Sequence, residues 1–187
     1  MGFNIEFQHM PLESLMTAED TLAVYNLLEN NGIKIWLDGG WAVDAQLGQQ
    51  TRRHNDIDIA IETIDVAEYR KVMAEYGYKH APRTGDKLHN FVLADGKGHE
   101  IDTHVFVWDE HGNGIYGPVE NNDMWPAASL QSYGTINGQP VRATSPECLV
   151  QFHTSYEVDA DDWHDVKLLC EKFGIEIPID YKKFAKN

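Results

Sequence analysis

The sequence is poor in cysteine, in long apolar runs and in basic residues. Its 187 residues include two cysteines, Cys148 and Cys170, which is too few for a disulfide framework, so we expect free thiols in a reducing compartment. No apolar run is long enough to cross a bilayer, and the N-terminus shows no signal-peptide pattern. These absences predict a cytoplasmic protein with no membrane partner.

Basic residues are outnumbered, with 15 lysines and arginines against 30 acids and a formal net charge of -15. Sequence-independent binding to DNA or RNA needs a basic face, so we expect no nucleic-acid partner. The charge suits a cationic partner or a metal site, and it equally suits a solvated acidic surface. Apolar residues make up 42% of the chain, enough for a core in one domain or in two small lobes around a cleft.

Hydrophobic periodicity predicts an α+β fold, with a mixed sheet flanked by helices over residues 1–143 and a helical region over 144–187. A capping box is expected where Asp65 is followed by Glu68. We expect residues 109–132, rich in Gly, Asn and Asp, to form a long loop of functional importance. The expected helices cover 17–31, 65–76 and 162–173, with short helices after Gly40 and Ser145, and the expected strands are 33–37, 56–62, HNFVLAD, HEIDTHVFVW and a hairpin at Asn137-Gly138.

Two aspartates one residue apart, in the strand DIDIAIE, carry the first functional signal. Residues i and i+2 of a strand point to the same face, so Asp56 and Asp58 lie together about 6.6 Å apart at Cα. Like charges this close repel unless a cation lies between them. Mg²⁺ prefers oxygen ligands and often shares its shell between carboxylates and substrate phosphates, so the pair predicts a magnesium site. A lone D-x-D, however, is most often a solvated strand edge.

A third acid lies in HEIDTHVF, where Glu100, Asp102 and His104 share one face of a strand. If this strand neighbours the first, Asp102 can approach the same metal or the reacting hydroxyl. Three acids on adjacent strands are a usual means of holding metals for in-line phosphoryl transfer.

Two glycines, Gly39 and Gly40, stand between a strand and a helix that begins near Trp41. Backbone N–H groups at a helix start attract phosphate, and glycine permits its close approach. The basic residues Arg52 and Arg53 can neutralise more of a triphosphate. A Gly-Gly pair alone is usually only a turn, but the combination with the acidic strands predicts a nucleotide site.

The stretch WLDGGWAVDAQLGQQTRRHNDIDI resembles nucleotidyltransferases of the DNA polymerase β superfamily that inactivate antibiotics, both the lincosamide enzymes and the aminoglycoside enzymes that modify a ring hydroxyl. The later stretch FHTSYEVDADDWHDVKLL is more similar to the small lincosamide enzymes. The resemblance covers about residues 17–172 and thins over 109–132. It implies a polymerase-β-like nucleotidyltransferase lobe followed by the helical region.

The resemblance also implies roles for individual residues. Gly39 and Gly40 would hold the triphosphate, and Lys167 would reach it from the last helix. Asp56, Asp58 and Asp102 would bind Mg²⁺, with Asp102 acting as a metal ligand, a general base or both. Family members often place the acceptor pocket at a dimer contact, which implies a homodimer.

The expected reaction transfers a nucleoside monophosphate, AMP from ATP, to a hydroxyl of a small molecule with loss of pyrophosphate. The expected acceptor is a lincosamide, because of the C-terminal resemblance and the aromatic residues around the long loop. An aminoglycoside is the alternative, since a charge of -15 suits a polycation. Another small-molecule or protein hydroxyl also remains open, as does a non-catalytic nucleotide-binding module.

Overall fold

The computed structural model describes residues 16–121 and 123–184, which contain five α-helices. Local sequence explains where several of them begin. Thr17 and Asp20 form a reciprocal capping box before α1, and Asp159 and Asp162 form another before α5. Ser145 caps α4 ahead of a proline in the first turn. The helices are α1 (Ala18–Asn30), α2 (Gly39–Leu47), α3 (Val66–Glu75), α4 (Pro146–Phe152) and α5 (Ala160–Phe173).

The main sheet is mixed, with strand order β1-β2-β5-β4-β3 and with β6 and β7 extending from β5. Strand β2 pairs with β1 in antiparallel fashion and with β5 in parallel. A separate hairpin is formed by β8 and β9. The strands are β1 (Ile35–Asp38), β2 (Ile57–Glu62), β3 (Lys79–His80), β4 (Asn90–Ala94), β5 (Glu100–Trp108), β6 (Gly114–Tyr116), β7 (Met124–Trp125), β8 (Tyr133–Ile136) and β9 (Gln139–Arg142).

The two faces of β2 enter different surroundings, as its alternating sequence predicts. Ile57, Ile59 and Ile61 are fully buried in the main core, which also takes in residues of α1, α2, α4 and α5. Ala60 faces a smaller aromatic core together with Phe106. Asp58, on the same face as Ala60, lies where this second core gives way to a cleft. The sheet therefore buries one face and leaves part of the other for polar side chains.

Three local predictions are wrong. Asp65 makes no side-chain capping hydrogen bond, because a 3₁₀ turn at Thr63–Asp65 precedes α3 and gives Asp65 a helical conformation. Strand β2 begins at Ile57, so Asp56 lies just before it. The region 109–132 is not one loop: it contains β6, which pairs with β5, and β7, which pairs with β6, and its Gly-rich composition gave no sign of this pairing.

The α+β class is confirmed, and helices α4 and α5 share the main core with the sheet. Across residues 16–121 and 123–184, none of the helices has the length and apolar character needed to cross a membrane.

Candidate active site

Strand register places three acids side by side. Asp38, the last residue of β1, is paired with Asp58 of β2, and Asp58 is paired with Asp102 of β5. Because neighbouring strands lie about 4.8 Å apart, these carboxylates are brought close together. The expectation that β5 neighbours β2 is thereby met, and the sheet adds Asp38.

His104 completes the cluster two residues beyond Asp102 on the same face. Its Nε2 lies 3.6 Å from Asp58 Oδ1 and 4.0 Å from Asp102 Oδ1. Asn90, on the neighbouring strand β4, donates from Nδ2 to Asp102 Oδ1 at 2.8 Å. The side chains of Asp58, Asp102 and His104 are about one quarter exposed, so this part of the cluster is open to solvent and to a ligand, whereas Asp38 is buried.

The acids repel one another, and burial adds to the effect. Burial, followed by the charges of Asp58 and Asp102, raises the pKa of Asp56 to about 6. Burial also raises the pKa of Asp38 and of Asp102 above the ordinary aspartate range. Such a concentration of uncompensated carboxylates is typical of a site that receives a cation.

His104 supplies the nearest positive charge. Burial tends to lower its pKa, but a hydrogen bond and the charge of Asp58, with further help from Asp38 and Asp102, raise it to about 9. The imidazole is therefore protonated at neutral pH and acts as a counter-ion to the acids.

The donor set fits a divalent cation. Asp58, Asp102 and His104 each offer a ligand atom, and these atoms all lie within 4.8 Å of one another. Two carboxylates are hard oxygen donors that suit Mg²⁺, and a deprotonated imidazole would also suit a transition metal. Asp56 is tied to the same cluster through its electrostatic interaction with both aspartates.

The two glycines have different surroundings. Gly39 has a φ of +52°, and a Cβ there would overlap the Asp58 carboxylate. Gly40 is buried, and a Cβ there would overlap the side chains of Arg52 and His54. Gly39 thus permits the close approach of helix α2 to the acidic cluster, whereas Gly40 permits the packing of the loop that leads to β2.

A cleft of about 420 Å³ opens beside the acids. Residues from four parts of the chain form its walls: the β1–α2 junction, β2, the region of β5–β7, and α4 with the residue after it. Tyr116, Trp125 and Phe152 meet edge to face, with ring centroids 5.4 and 5.5 Å apart, and form an aromatic wall. The lining residues are Asp38, Gly39, Asp58, His104, Tyr116, Asp123, Trp125, Leu149, Phe152 and His153.

The basic residues predicted to bind nucleotide lie outside the described lining of this cleft. Arg53 is exposed, and its carbonyl accepts a hydrogen bond from Arg52 Nη1. Lys167 is exposed on α5 with Nζ 3.9 Å from Glu171 Oε1. Arg52 is held by Asp165 of α5 in a bidentate ion pair.

Several lining residues were not singled out from the sequence as site residues. Asp38 had one available signal, since an acid at the end of the buried strand IWLD is unusual. Asp123 and Phe152 gave no local signal, because only the pairing of β6 with β7 and the packing of α4 bring them to the acids.

A model of the aminoglycoside-2''-adenylyltransferase family matches residues 20–169 of the chain. A 2''-aminoglycoside nucleotidyltransferase from Escherichia coli is 28% identical over 163 residues, covering 79% of this chain and 82% of the relative. A lincosamide resistance protein from Staphylococcus haemolyticus is 25% identical over 158 residues, covering 82% of this chain and 94% of the relative.

Among solved structures, a lincosamide antibiotic adenylyltransferase with lincomycin bound matches with a TM-score of 0.68 and 22% identity. The match covers 82% of this chain and 96% of that one. At this identity the likeness shows the fold alone. The polymerase-β-like nucleotidyltransferase fold expected from the sequence is thereby confirmed.

Proposed function

This chain belongs to the aminoglycoside-2''-adenylyltransferase family, and from that premise we propose that it transfers AMP from ATP to a hydroxyl of a lincosamide-type antibiotic. Membership makes it an antibiotic nucleotidyltransferase, as its named relatives are. The observation that carries the proposal is the register that sets Asp58 beside Asp102 at the mouth of an aromatic cleft.

In the proposed reaction a bond forms between the acceptor oxygen and the α-phosphorus, the bond to the bridging oxygen breaks, and pyrophosphate leaves. A hydroxyl is a poor nucleophile, so its proton must be taken up as the bond forms. Asp102 is our candidate for that base, because it lies in the cluster and its orientation is held by Asn90.

The same cluster is our candidate for holding Mg²⁺, with Asp56, Asp58 and Asp102 as ligands. When bound, the ion would neutralise charge on the triphosphate and on the leaving pyrophosphate. The carboxylates that raise the pKa of His104 support the proposal that this position favours positive charge.

For the nucleotide we propose Gly39, Gly40, Arg53 and Lys167 as contacts. Gly39 lines the cleft at the start of α2, where backbone N–H groups favour an anion. The exposed side chains of Arg53 and Lys167 can turn toward a bound triphosphate. Gly40 would contribute its backbone N–H, since the side chains of Arg52 and His54 fill the space next to its Cα.

The acceptor assignment rests on which residues line the cleft. Phe152 and His153 belong to the stretch similar to the lincosamide enzymes, and both face the cleft. Together with Tyr116 and Trp125 they offer an apolar wall that suits the mixed surface of a lincosamide. An aminoglycoside is the second candidate, favoured by the family match, by the net charge of -15 and by the exposed Asp123 at the cleft.

A panel of lincosamides, aminoglycosides and unrelated hydroxyl compounds, incubated with ATP and Mg²⁺ and read by mass spectrometry, tests the proposal. We expect a mass increase of one adenylyl group on a lincosamide. If only aminoglycosides are adenylylated, the acceptor must be reassigned to that class, and the proposed reaction type still holds. Nucleotide binding without any adenylylated product, including on protein, would indicate a binding module instead.

We also propose that the protein is a homodimer whose acceptor cleft is completed by the second copy. The family resemblance supports this proposal, and so does the exposure of Trp108 next to the aromatic core. Sedimentation at micromolar concentration gives the oligomeric state, and a fully active monomer would contradict it.

A further inference from the structure

We propose that Arg52 and Asp165 are positioning residues for the catalytic aspartates, so that helix α5 controls the geometry of the site through the loop that precedes β2. The proposal deepens the function proposed above and rests on it for the identity of the site. It concerns the segment 49–56, which leads from α2 to β2 and has no helix or strand of its own.

The first contact joins this segment to α5. Arg52 Nε donates to both Asp165 oxygens at 3.0 Å, and Nη2 donates to Oδ2 at 2.8 Å. Asp165 is fully buried, and the Arg52 side chain is 23% exposed. A planar guanidinium held by a carboxylate in this bidentate way has one preferred orientation, which an ammonium group cannot reproduce.

The same arginine also organises its own segment. Its Nη1 donates to the carbonyl of Arg53 at 3.0 Å, and its carbonyl accepts from Gln50 Nε2 at 2.9 Å. The guanidinium fills the space left by the missing side chain of Gly40, so it rests on the first turn of α2. One side chain therefore links α5, α2 and the backbone immediately before Asp56.

Only three residues separate Arg52 from Asp56, the first acid of the site. An irregular segment has many accessible backbone conformations, and each restraint reduces that freedom. Asp56 lies outside β2, so the sheet hydrogen bonds do not hold it. The restraint on its backbone comes from the preceding segment, which Thr51 and His54 join to Asp44 of α2 and which the Arg52–Asp165 pair joins to α5.

A role in positioning can be separated from a role in stability. Removing one partner of a buried ion pair leaves an unpaired charge and destabilises the fold, whereas replacing both by apolar residues of similar size is often neutral. The double variant Arg52→Met with Asp165→Leu therefore keeps the packing and removes the orienting fork. Arg52→Lys keeps the positive charge and loses the bidentate geometry, and it serves as a second variant if the double variant fails to fold.

Three measurements decide the proposal: thermal unfolding, amide hydrogen exchange of residues 49–56, and calorimetric binding of a non-hydrolysable ATP analogue at a series of Mg²⁺ concentrations. In both variants we expect exchange in 49–56 to be faster by about tenfold. We expect the Mg²⁺ concentration for half-maximal binding to rise by about tenfold, the usual effect of losing a residue that orients a metal ligand. The double variant should unfold within a few degrees of wild type.

The matched control is Glu29→Gln, which removes the partner of Arg142 in an ion pair between α1 and β9. It should change stability without changing exchange in 49–56 or the Mg²⁺ dependence. Wild-type exchange and Mg²⁺ dependence in a folded double variant would overturn the proposal, as would equal effects in the control. If wild type itself binds no nucleotide, the proposed function fails, and the exchange measurement still tests whether the pair orders the segment.

Discussion

Two aspartate–histidine pairs lie on either side of Gly39 and Gly40, and they differ in almost every physical respect. Asp44 and His54 are 2% and 3% exposed and are joined by a contact of 2.5 Å between Oδ2 and Nε2. Asp58 and His104 are 28% and 23% exposed, and their nearest atoms are 3.6 Å apart. The same two residue types thus form one buried pair and one partly exposed pair, which we call the closed pair and the open pair.

The closed pair is satisfied by its surroundings. Asp44 Oδ1 accepts from both the backbone N–H and the hydroxyl of Thr51, and the ring of Trp41 lies 4.4 Å from that of His54. The open pair has an excess of carboxylates and a cleft beside it. The comparison teaches that a carboxylate–histidine pair marks a ligand site only where its hydrogen-bonding capacity and its charge remain uncompensated.

The largest effect is expected from Asp58→Asn in the open pair. Loss of a carboxylate that neutralises a divalent ion and a triphosphate should lower turnover by about a thousandfold or more. Turnover at saturating Mg²⁺ is the measurement, and activity within about tenfold of wild type would contradict the assignment of Asp58.

Asp44→Asn is the same chemical change in the closed pair, and it should have the opposite result. A buried network would lose its charge, so we expect the free energy of unfolding to fall by about 3 kcal/mol. Urea denaturation measures it. A variant as stable as wild type would show that Asp44 does not belong to a structural pair.

Asp102→Asn tests whether Asp102, and not another residue on the same face of β5, is the general base. It should fold and bind ATP but lose at least about a hundredfold in kcat, the usual worth of a general base. Glu100→Gln and His104→Asn are the matched variants on the same strand and should lose less. Should His104→Asn be inactive while Asp102→Asn is nearly normal, the base would have to be reassigned to His104.

The two glycines sharpen the comparison, since each faces one of the pairs. Alanine at Gly39 meets the Asp58 carboxylate and a φ of +52°, so it should weaken Mg²⁺-dependent nucleotide binding and cost about 1–2 kcal/mol of stability. Alanine at Gly40 meets Arg52 and His54 and should act mainly on stability. Calorimetry and urea denaturation distinguish them, and identical effects would contradict the division of roles.

The smallest effect is a pH dependence of the metal-free protein. The pKa of Asp56 is raised from 3.8 to about 6, so its contribution favours folding at low pH and is lost as the pH rises from about 4 to 6. The pKa of His104 is raised from 6.5 to about 9, so its stabilising contribution is present below 6.5 and is lost as the pH rises to 9.

Thermal melting at a series of pH values therefore gives two descending steps in the metal-free protein. His104→Asn should remove the upper step and leave the lower one. Mg²⁺ should stabilise the wild type more at pH 8 than at pH 5, because protons compete for Asp56 at the lower pH. If the loss of stability at the higher pH persists in His104→Asn, it must come from the titration of another group.

Much of the site could be predicted because its signals are local. The alternation of β2 places Asp58 on the face opposite its three isoleucines by a period of two residues. Asp56 lies just before the strand, so that period does not fix its direction. The caps at Thr17 and Ser145 predict helix starts from a few neighbouring residues. The prediction at Asp65 was wrong because a 3₁₀ turn inserted before α3 moved that residue out of the cap conformation.

The sequence by itself determined the α+β order, because hydrophobic spacing along the chain encodes it, and its similarity to known enzymes indicated the family. Only the tertiary structure decided that Asp38 and Asp102 flank Asp58, since pairing of strands is a long-range choice. It likewise decided that Arg52 meets Asp165, 113 residues away, and that the aromatic wall closes against α4. Such contacts depend on which buried surfaces pack together, and no local pattern of residues encodes that packing.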